Sequence, residues 1–348
     1  MYTLAALTQT AAEGRDLSAT EATDAARWMA DEAAPVEAKR AFLLALADKG
    51  ETPGEVAAFA HYFRERAVDP QLSDRAPAAV DIVGTGGDRS STFNISTLSA
   101  FVLAAGGLTV LKHGNRAATS KCGSADLLEA LGIPLGSEPE VLRRSVEGTN
   151  FAFLFAQAFH PAFKAVGPVR KALAAEGRRT VFNLLGPLIN PARPGALLMG
   201  VFAEEWVVPL AEVLEQLGLA SGLVVHCRGG GTHVFDELTC AGPNRVRGVG
   251  RLRAVDGVWT AGEAGLEPCA ETDLAGGTLE ENLALLERIL TGQAPRGLLQ
   301  TIQFNVGAAF WAAGDVASLG QGVARAADLL TSRAVEAWLN QAQRFHAP

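Results

Sequence analysis

The pattern that most limits the fold lies between residues 80 and 112. Val80-Asp81-Ile82-Val83 is a short apolar strand candidate, and Gly84-Thr85-Gly86-Gly87-Asp88 is a glycine-rich loop. Residues 96–105 form an apolar helical run, and Leu108-Thr109-Val110-Leu111-Lys112 is a second strand candidate. Strand, loop, helix and strand in that order predict parallel pairing inside an α/β domain. Strand signals return at Leu197-Leu198-Met199-Gly200-Val201-Phe202 and at Gly222-Leu223-Val224-Val225-His226. Helical runs are predicted at 125–131, where Gly132 ends the run, and at 161–185, about 279–290, 299–313 and 320–339.

The first part of the chain reads differently. Residues from about 18 to 67 carry helix signals throughout, and Ser18-Ala19-Thr20-Glu21 has the form of a capping box. Residues 37–46 have apolar positions three and four apart, Gly50 stops that helix, and Thr52 can cap the next. Residues 68–77 are polar, hold two prolines and read as a linker. A small helical unit interleaved with a larger α/β unit is the expected organisation.

Composition narrows the function classes. The 348-residue chain has 48% apolar residues, enough for a full core, and a net charge of −8, which argues against non-specific nucleic-acid binding. An acidic substrate is not excluded, because a local loop and a metal can hold phosphate inside an acidic protein. No signal-peptide pattern and no bilayer-length apolar run are visible, so no membrane association is expected. The four cysteines, Cys122, Cys227, Cys240 and Cys269, form no CxxC pair, and a reduced cytoplasmic setting is expected. The spacings among His226, Cys227, His233 and Cys240 are wider than ordinary zinc pairs.

The glycine loop alone is also compatible with an ordinary tight turn. Its neighbours weigh toward an anion site. Asn94-Ile95-Ser96-Thr97 opens the next helix, where backbone donors attract phosphate, although Asn94 or Ser96 could equally be a plain N-cap. Lys112-His113-Gly114-Asn115-Arg116 ends a strand, the edge that ligands of open α/β sheets favour. Lys112 offers a point charge and Arg116 a fork, and Thr119, Ser120, Lys121 and Ser124 add hydroxyls and another cation. A phosphorylated sugar is the expected ligand.

With these motifs in view, the chain resembles the anthranilate phosphoribosyltransferase family. The resemblance also takes in residues 123–132, Phe159-His160-Pro161, Val169-Arg170, residues 181–188, the Lys49-Gly50-Glu51-Thr52 turn, and Gly276-Gly277 followed by Glu281-Asn282. It implies a nucleoside phosphorylase/phosphoribosyltransferase-like fold: a small helical domain and a large α/β domain with a mainly parallel central sheet. The helical domain would be residues 1–75 completed by about 161–194, and the α/β domain 76–160 and 195–348. The implied activity is transfer of phosphoribose from phosphoribosyl pyrophosphate to the amine of anthranilate, in tryptophan biosynthesis.

Carried over by position, Gly84, Gly87, Asp88, Thr92, Asn94, Ile95, Ser96, Thr97, Lys112, His113, Gly114, Asn115, Arg116, Ala117, Ala118, Thr119, Ser120 and Ser124 would surround the donor. Gly84, His113, Asn115, His160 and Arg170 would face anthranilate, and Ser96, Asp236 and Glu237 would hold magnesium, two Mg²⁺ ions in all. Positioning and metal chemistry are expected in place of a covalent nucleophile. The resemblance further implies a homodimer and leaves an association with anthranilate synthase open. Three other readings stay open: a different aromatic acceptor for the same donor, a nucleoside phosphorylase of the same fold, and a non-catalytic nucleic-acid-binding paralogue. Residues 171–180 and 226–235 run longer than the family pattern, which bears on the acceptor side and on where Asp236 and Glu237 sit.

Overall fold

The computed structural model describes residues 1–116, 121–136, 138–231 and 233–347. The expected donor residues Ala117, Ala118, Thr119 and Ser120 lie outside that description. Four helices come first: α1 (Leu4–Ala12), α2 (Ala19–Ala30), α3 (Val36–Lys49) and α4 (Pro53–Arg64). Ser18 and Thr52 each accept an N–H from the third helical residue, and Glu21 and Glu55 accept from the cap in return. Both capping boxes therefore close, the one at Ser18 as the sequence predicts and the one at Thr52 where it predicts a cap. The helix α1 carries no such signal and was not anticipated.

After the 68–77 connection the chain builds a sheet. In chain order it gives β1 (Val80–Gly84), α5 (Ile95–Ala105), β2 (Val110–Gly114), α6 (Ser124–Ala130), α7 (Pro139–Thr149), β3 (Phe151–Phe155) and α8 (Ala156–Phe159). It continues through α9 (Gly167–Ala175), β4 (Ala196–Gly200), α10 (Val207–Gln216), β5 (Ser221–Arg228), β6 (Val234–Phe235), β7 (Asn244–Gly250) and β8 (Asp256–Trp259). Four helices close the chain: α11 (Leu279–Leu290), α12 (Arg296–Ala313), α13 (Leu319–Thr331) and α14 (Ala334–His346).

The spatial order is β3-β2-β1-β4-β5-β7-β8, with β6 paired to the end of β5. Strands β1 to β5 pair in parallel, and the β5–β6, β5–β7 and β7–β8 pairs are antiparallel. From β1 the chain moves outward to β2 and β3, then returns to the other side of β1 with β4. The order of strands thus reverses between β1 and β4, and the crevice beyond their carboxyl ends is where such a sheet takes ligands.

One face of the sheet packs on α5 and α12 through Leu98, Phe101, Ile302 and Phe310. The other face, with Leu197, Met199 and Val224, shares a continuous apolar cluster with α1 to α4, α10 and residues 166–189. Within that cluster Phe59, Phe63 and Phe163 meet the ring of Phe182 edge-on, at centroid distances of 6.2, 5.5 and 5.5 Å. Aromatic edge-to-face packing binds residues 161–189 to the helical unit.

Two helix expectations need correction. The run at 161–185 is not one helix: it is a 3-10 turn at Pro161–Val166, then α9, then 3-10 turns at Val181–Asn183 and Gly186–Leu188. Pro168 fits only the first turn of α9, and Gly177, at φ 73°, reverses the chain after it. The run at 320–339 is α13 and α14, separated at Arg333, whose φ is 60°. The strands β3, β6, β7 and β8 and the helices α7 and α10 were not singled out in the sequence.

Candidate active site

The crevice between β1 and β4 is built around two glycines. Gly84 and Gly200 are register partners at the ends of those strands. Across them runs the backbone of Asp236 and Glu237. A Cβ on Gly84 would collide with the Asp236 carboxylate, and one on Gly200 with the Asp236 backbone carbonyl. Only glycine leaves the space. The Gly86 N–H donates to Asp236 Oδ2 at 2.6 Å, and the Thr85 N–H to the Gly200 carbonyl at 3.0 Å. The acidic pair therefore reaches the crevice despite the long 226–235 segment before it. Gly200→Ala is expected to lower the melting temperature by several degrees, because backbone on backbone has no soft way to yield. Differential scanning calorimetry checks this, and an unchanged midpoint would mean that the 236–237 backbone gives way easily.

Three carboxylates converge there. Burial, and then the charge of Asp88, pushes Asp236 up to about 7. Burial, followed by Asp236 and Asp88, pushes Glu237 well above the usual carboxylate range. Glu237 Oε1 is buried without a hydrogen-bond partner. Such mutual repulsion is a local demand for a cation, and hard carboxylate oxygens suit Mg²⁺. Among the described residues no group of three or more His, Cys, Asp or Glu side chains forms a ready-made metal site. An ion held by these carboxylates would be completed by oxygens of a bound phosphate, a common arrangement for Mg²⁺. His226 Nδ1 lies 2.8 Å from the Val201 carbonyl, Cys227 Sγ 3.0 Å from Thr239 Oγ1, and His233 Nδ1 2.7 Å from Glu271, so each is engaged separately.

The loop after β1 is turned inward by four residues with positive φ: Gly86 at 69°, Gly87 at 79°, Arg89 at 61° and Ser91 at 54°. Ser90 Oγ donates to Asp88 Oδ2 at 2.5 Å. A distant segment pins the far end of the loop: Phe93 N–H to Leu274 O and Gly276 N–H to Ser91 O, both at 2.9 Å. Asn94 stands at the cap position of α5 but makes no capping bond. Its amide donates to the Cys122 carbonyl at 3.1 Å and its oxygen accepts from Asn282 at 2.9 Å, while Asn282 holds the Gly277 N–H at 2.8 Å. This is the physical use of the Gly276-Gly277 and Asn282 pattern. Thr97 Oγ1 is buried without a partner at the edge of the crevice.

A cleft of about 430 Å³ collects these groups. Gly84, Gly87, Asp88, Thr92, Asn94, Ile95, Ser96 and Thr97 form one wall, and Lys112, His113, Gly114, Asn115, Arg116 and Ser124 the other. Asp236, Glu237 and Arg170 complete the lining. Lys112 is not an open charge. Its ammonium is buried under the cleft, donating to Ile82 O at 2.6 Å and Ser96 Oγ at 3.3 Å, and burial lowers it to about 8. The buried Asp81 beside it is pushed up to about 6 by burial and accepts from Asn190 at 2.8 Å. The fork of Arg116 is taken by Asp126 at 3.0 Å and Glu129 at 2.9 Å.

The remaining side of the cleft is suited to a flat anion. The Arg170 guanidinium lies 5.4 Å from the ring centroids of both Phe163 and Phe182. Burial lowers its pKa, and among the described residues it has no carboxylate partner. His113 Nδ1 is 3.0 Å from the Gly186 carbonyl, while its Nε2 is buried and unpartnered. Burial holds His113 down at about 4, so it is neutral at pH 7. His160 does not line the cleft: it stands behind His113 with ring centroids 5.1 Å apart. Burial and then His113 hold His160 down at about 3. Sequence reasoning gave no role to Phe182, Asn183, Gly186 or Thr85. The first three lie in the 181–188 motif, which was the available signal.

Comparison with known proteins identifies the relatives of the whole chain. Residues 5–67 match the model of the glycosyl transferase family helical bundle domain, and residues 76–334 that of the glycosyl transferase family a/b domain. The anthranilate phosphoribosyltransferase of Thermus thermophilus is 49% identical over 306 residues, 87% of this chain and 88% of that one. That of Parvibaculum lavamentivorans is 44% identical over 328 residues, 93% of this chain and 92% of that one. The crystal structure of the Thermus thermophilus enzyme superimposes with a TM-score of 0.87 at 44% identity, covering 98% of this chain and 99% of that one. The Saccharomyces cerevisiae enzyme, in complex with PRPP and Mg, shares the fold with a TM-score of 0.84 at 24% identity, covering 99% of this chain and 97% of that one. Sequence identity, the two matched domains and the superimposed fold agree, and the chain belongs to the anthranilate phosphoribosyltransferase family.

Proposed function

We propose that this chain transfers the phosphoribosyl group of phosphoribosyl pyrophosphate to the amine of anthranilate, releasing pyrophosphate. The observation that carries the reading is one cleft with two unlike halves. One half joins the turned-in loop, the first turn of α5 and the crowded carboxylates. The other presents Arg170 as a desolvated guanidinium between two rings. A phosphorylated donor suits the first half and an aromatic carboxylate the second.

In the reaction a bond forms from the anthranilate nitrogen to C1 of the ribose, the bond from C1 to pyrophosphate oxygen breaks, and the amine loses a proton. The arylamine is neutral and nucleophilic at pH 7, so orientation is the main task. Gly84, Gly87, Asp88, Thr92 and Asn94 to Thr97 would seat the donor. Lys112 acts from beneath by fixing Ser96 Oγ, and Gly114, Arg116 and Ser124 wall the other side. Ala117, Ala118, Thr119 and Ser120 are assigned to the donor on resemblance alone. Arg170 would hold the anthranilate carboxylate, with Gly84, His113 and Asn115 around the ring and His160 supporting His113. Ser96, Asp236 and Glu237 would hold Mg²⁺, two ions in our reading, which supplies positive charge to the leaving pyrophosphate when bound.

The same reading takes the helical domain as 1–75 with 161–194, the α/β domain as 76–160 and 195–348, and the enzyme as a cytoplasmic homodimer. Among the described residues no helix is long and apolar enough to cross a membrane.

Mixing the protein with anthranilate, donor and Mg²⁺ should produce a fall in anthranilate fluorescence that needs both donor and metal. If fluorescence holds steady while another aromatic amine triggers pyrophosphate release, the acceptor assignment is wrong and the donor assignment stands.

A further inference from the structure

The donor loop is held in a shape that its own residues disfavour. Arg89 and Ser91 lie in the left-handed region without being glycine, a conformation that persists only when surrounding structure enforces it. Residues 274–276 enforce it from one side. On the other side stands Arg179. Its Nη2 donates to the Gly87 carbonyl at 2.5 Å, and its guanidinium lies 3.9 Å above the Phe202 ring, just past β4. The preceding residue, Arg178, pairs with Asp48 in α3. Two consecutive arginines thus link opposite structures, one to the helical unit and one to the loop. They border an open hollow of about 640 Å³ that Asp88 and Arg89 also line.

We propose that Arg179 is a positioning residue for the phosphorylated donor. A trans peptide is planar, with its carbonyl and N–H on opposite sides. Drawing the Gly87 carbonyl toward Arg179 therefore turns the Asp88 N–H the other way, toward the cleft that Asp88 lines. Among the described residues the Asp88 N–H has no hydrogen-bond acceptor, so it is available to a phosphate oxygen. The planar guanidinium suits this task because it can lie on Phe202 and donate sideways at once, which an ammonium cannot. The inference rests on the donor reading given above. It adds a role for the 171–180 segment, whose last turn delivers Arg179.

The test is calorimetric titration of phosphoribosyl pyrophosphate with Mg²⁺, without acceptor, into wild type, Arg179→Ala, Arg179→Lys and Phe202→Leu. Steady-state kinetics and melting temperatures are measured in parallel. Arg179→Ala should weaken donor binding about tenfold or more, with the KM for anthranilate within about twofold. Arg179→Lys should recover part of the loss, and Phe202→Leu should show a smaller loss in the same direction. Donor affinity unchanged in Arg179→Ala would overturn the proposal. So would equal rises in both KM values with a lowered melting temperature that lysine does not rescue, because that marks a general structural role. If Arg179→Ala does not fold, Phe202→Leu decides alone: unaltered donor affinity there overturns the proposal. A wild type that binds no donor refutes the underlying function and the inference with it, an outcome distinct from equal binding by wild type and variant.

Discussion

Replacing Asp236 with Asn and Glu237 with Gln together should cut turnover at least about a hundredfold while leaving the metal-free protein as stable as before, or more so. The two effects have one origin. Asp236 is pushed up to about 7 and Glu237 also upward, in both cases mainly by burial and next by neighbouring carboxylates. A carboxyl whose folded pKa lies above its unfolded value favours the fold when protonated. That contribution is complete below the unfolded pKa of 3.8 and is lost as pH rises through about 7. The metal-free wild type should therefore lose stability between about pH 4 and 7 relative to the double variant, by on the order of 2 kcal/mol for a crowded acidic pair. His113 and His160, held down at about 4 and 3, contribute the opposite slope in both proteins. The difference between the two melting curves, measured against pH in the presence of a chelator, isolates the acidic pair. Adding Mg²⁺ with donor should then stabilise the wild type and not the variant. A variant that keeps metal-dependent turnover would remove Asp236 and Glu237 from the proposed metal site.

The parts of this site that were legible in the sequence are those where one residue type is forced locally. Glycine at 86 and 87 matches two positive φ values, and the caps at Ser18 and Thr52 match two closed boxes. Arg89 and Ser91 adopt the same left-handed shape with nothing in their identity to announce it; tertiary bonds from residues 274–276 impose it. The position of Lys112 could not be read, because a parallel strand buried on both faces carries no inside–outside alternation. It was expected to offer its charge to phosphate and instead supports Ser96 from below. Arg116 likewise reads as a phosphate fork until α6 docks and brings Asp126 and Glu129 to it. The acidic pair was placed by family resemblance alone. Its physical reason, the gap left by Gly84 and Gly200 at the point where the strand order reverses, needs the register of β1 with β4. The helix expected at 161–185 failed on its prolines and on Gly177, which were in plain view but were outweighed by the apolar spacing.

Arg170→Ala should raise the KM for anthranilate roughly 30- to 150-fold while changing that for the donor by no more than about twofold. The size follows from a charge-assisted pair worth about 2–3 kcal/mol in a partly desolvated site. The direction follows from geometry: Arg170 stands with Phe163 and Phe182, neither of which is assigned to the donor. This guanidinium is desolvated, and no carboxylate among the described residues pairs with it. Removing it therefore leaves no buried counter-charge behind, and the melting temperature should hold or rise. Arg170→Lys keeps a charge but loses the fork and the flat face against the rings, so it should recover only part of the affinity. Aniline supplies the chemical control, because it has the nucleophilic amine without the carboxylate. Wild type and Arg170→Ala should use aniline at similar, low efficiency if Arg170 acts on the carboxylate. If the variant loses the same factor with aniline as with anthranilate, Arg170 serves the cleft as a whole, and the carboxylate must be held elsewhere.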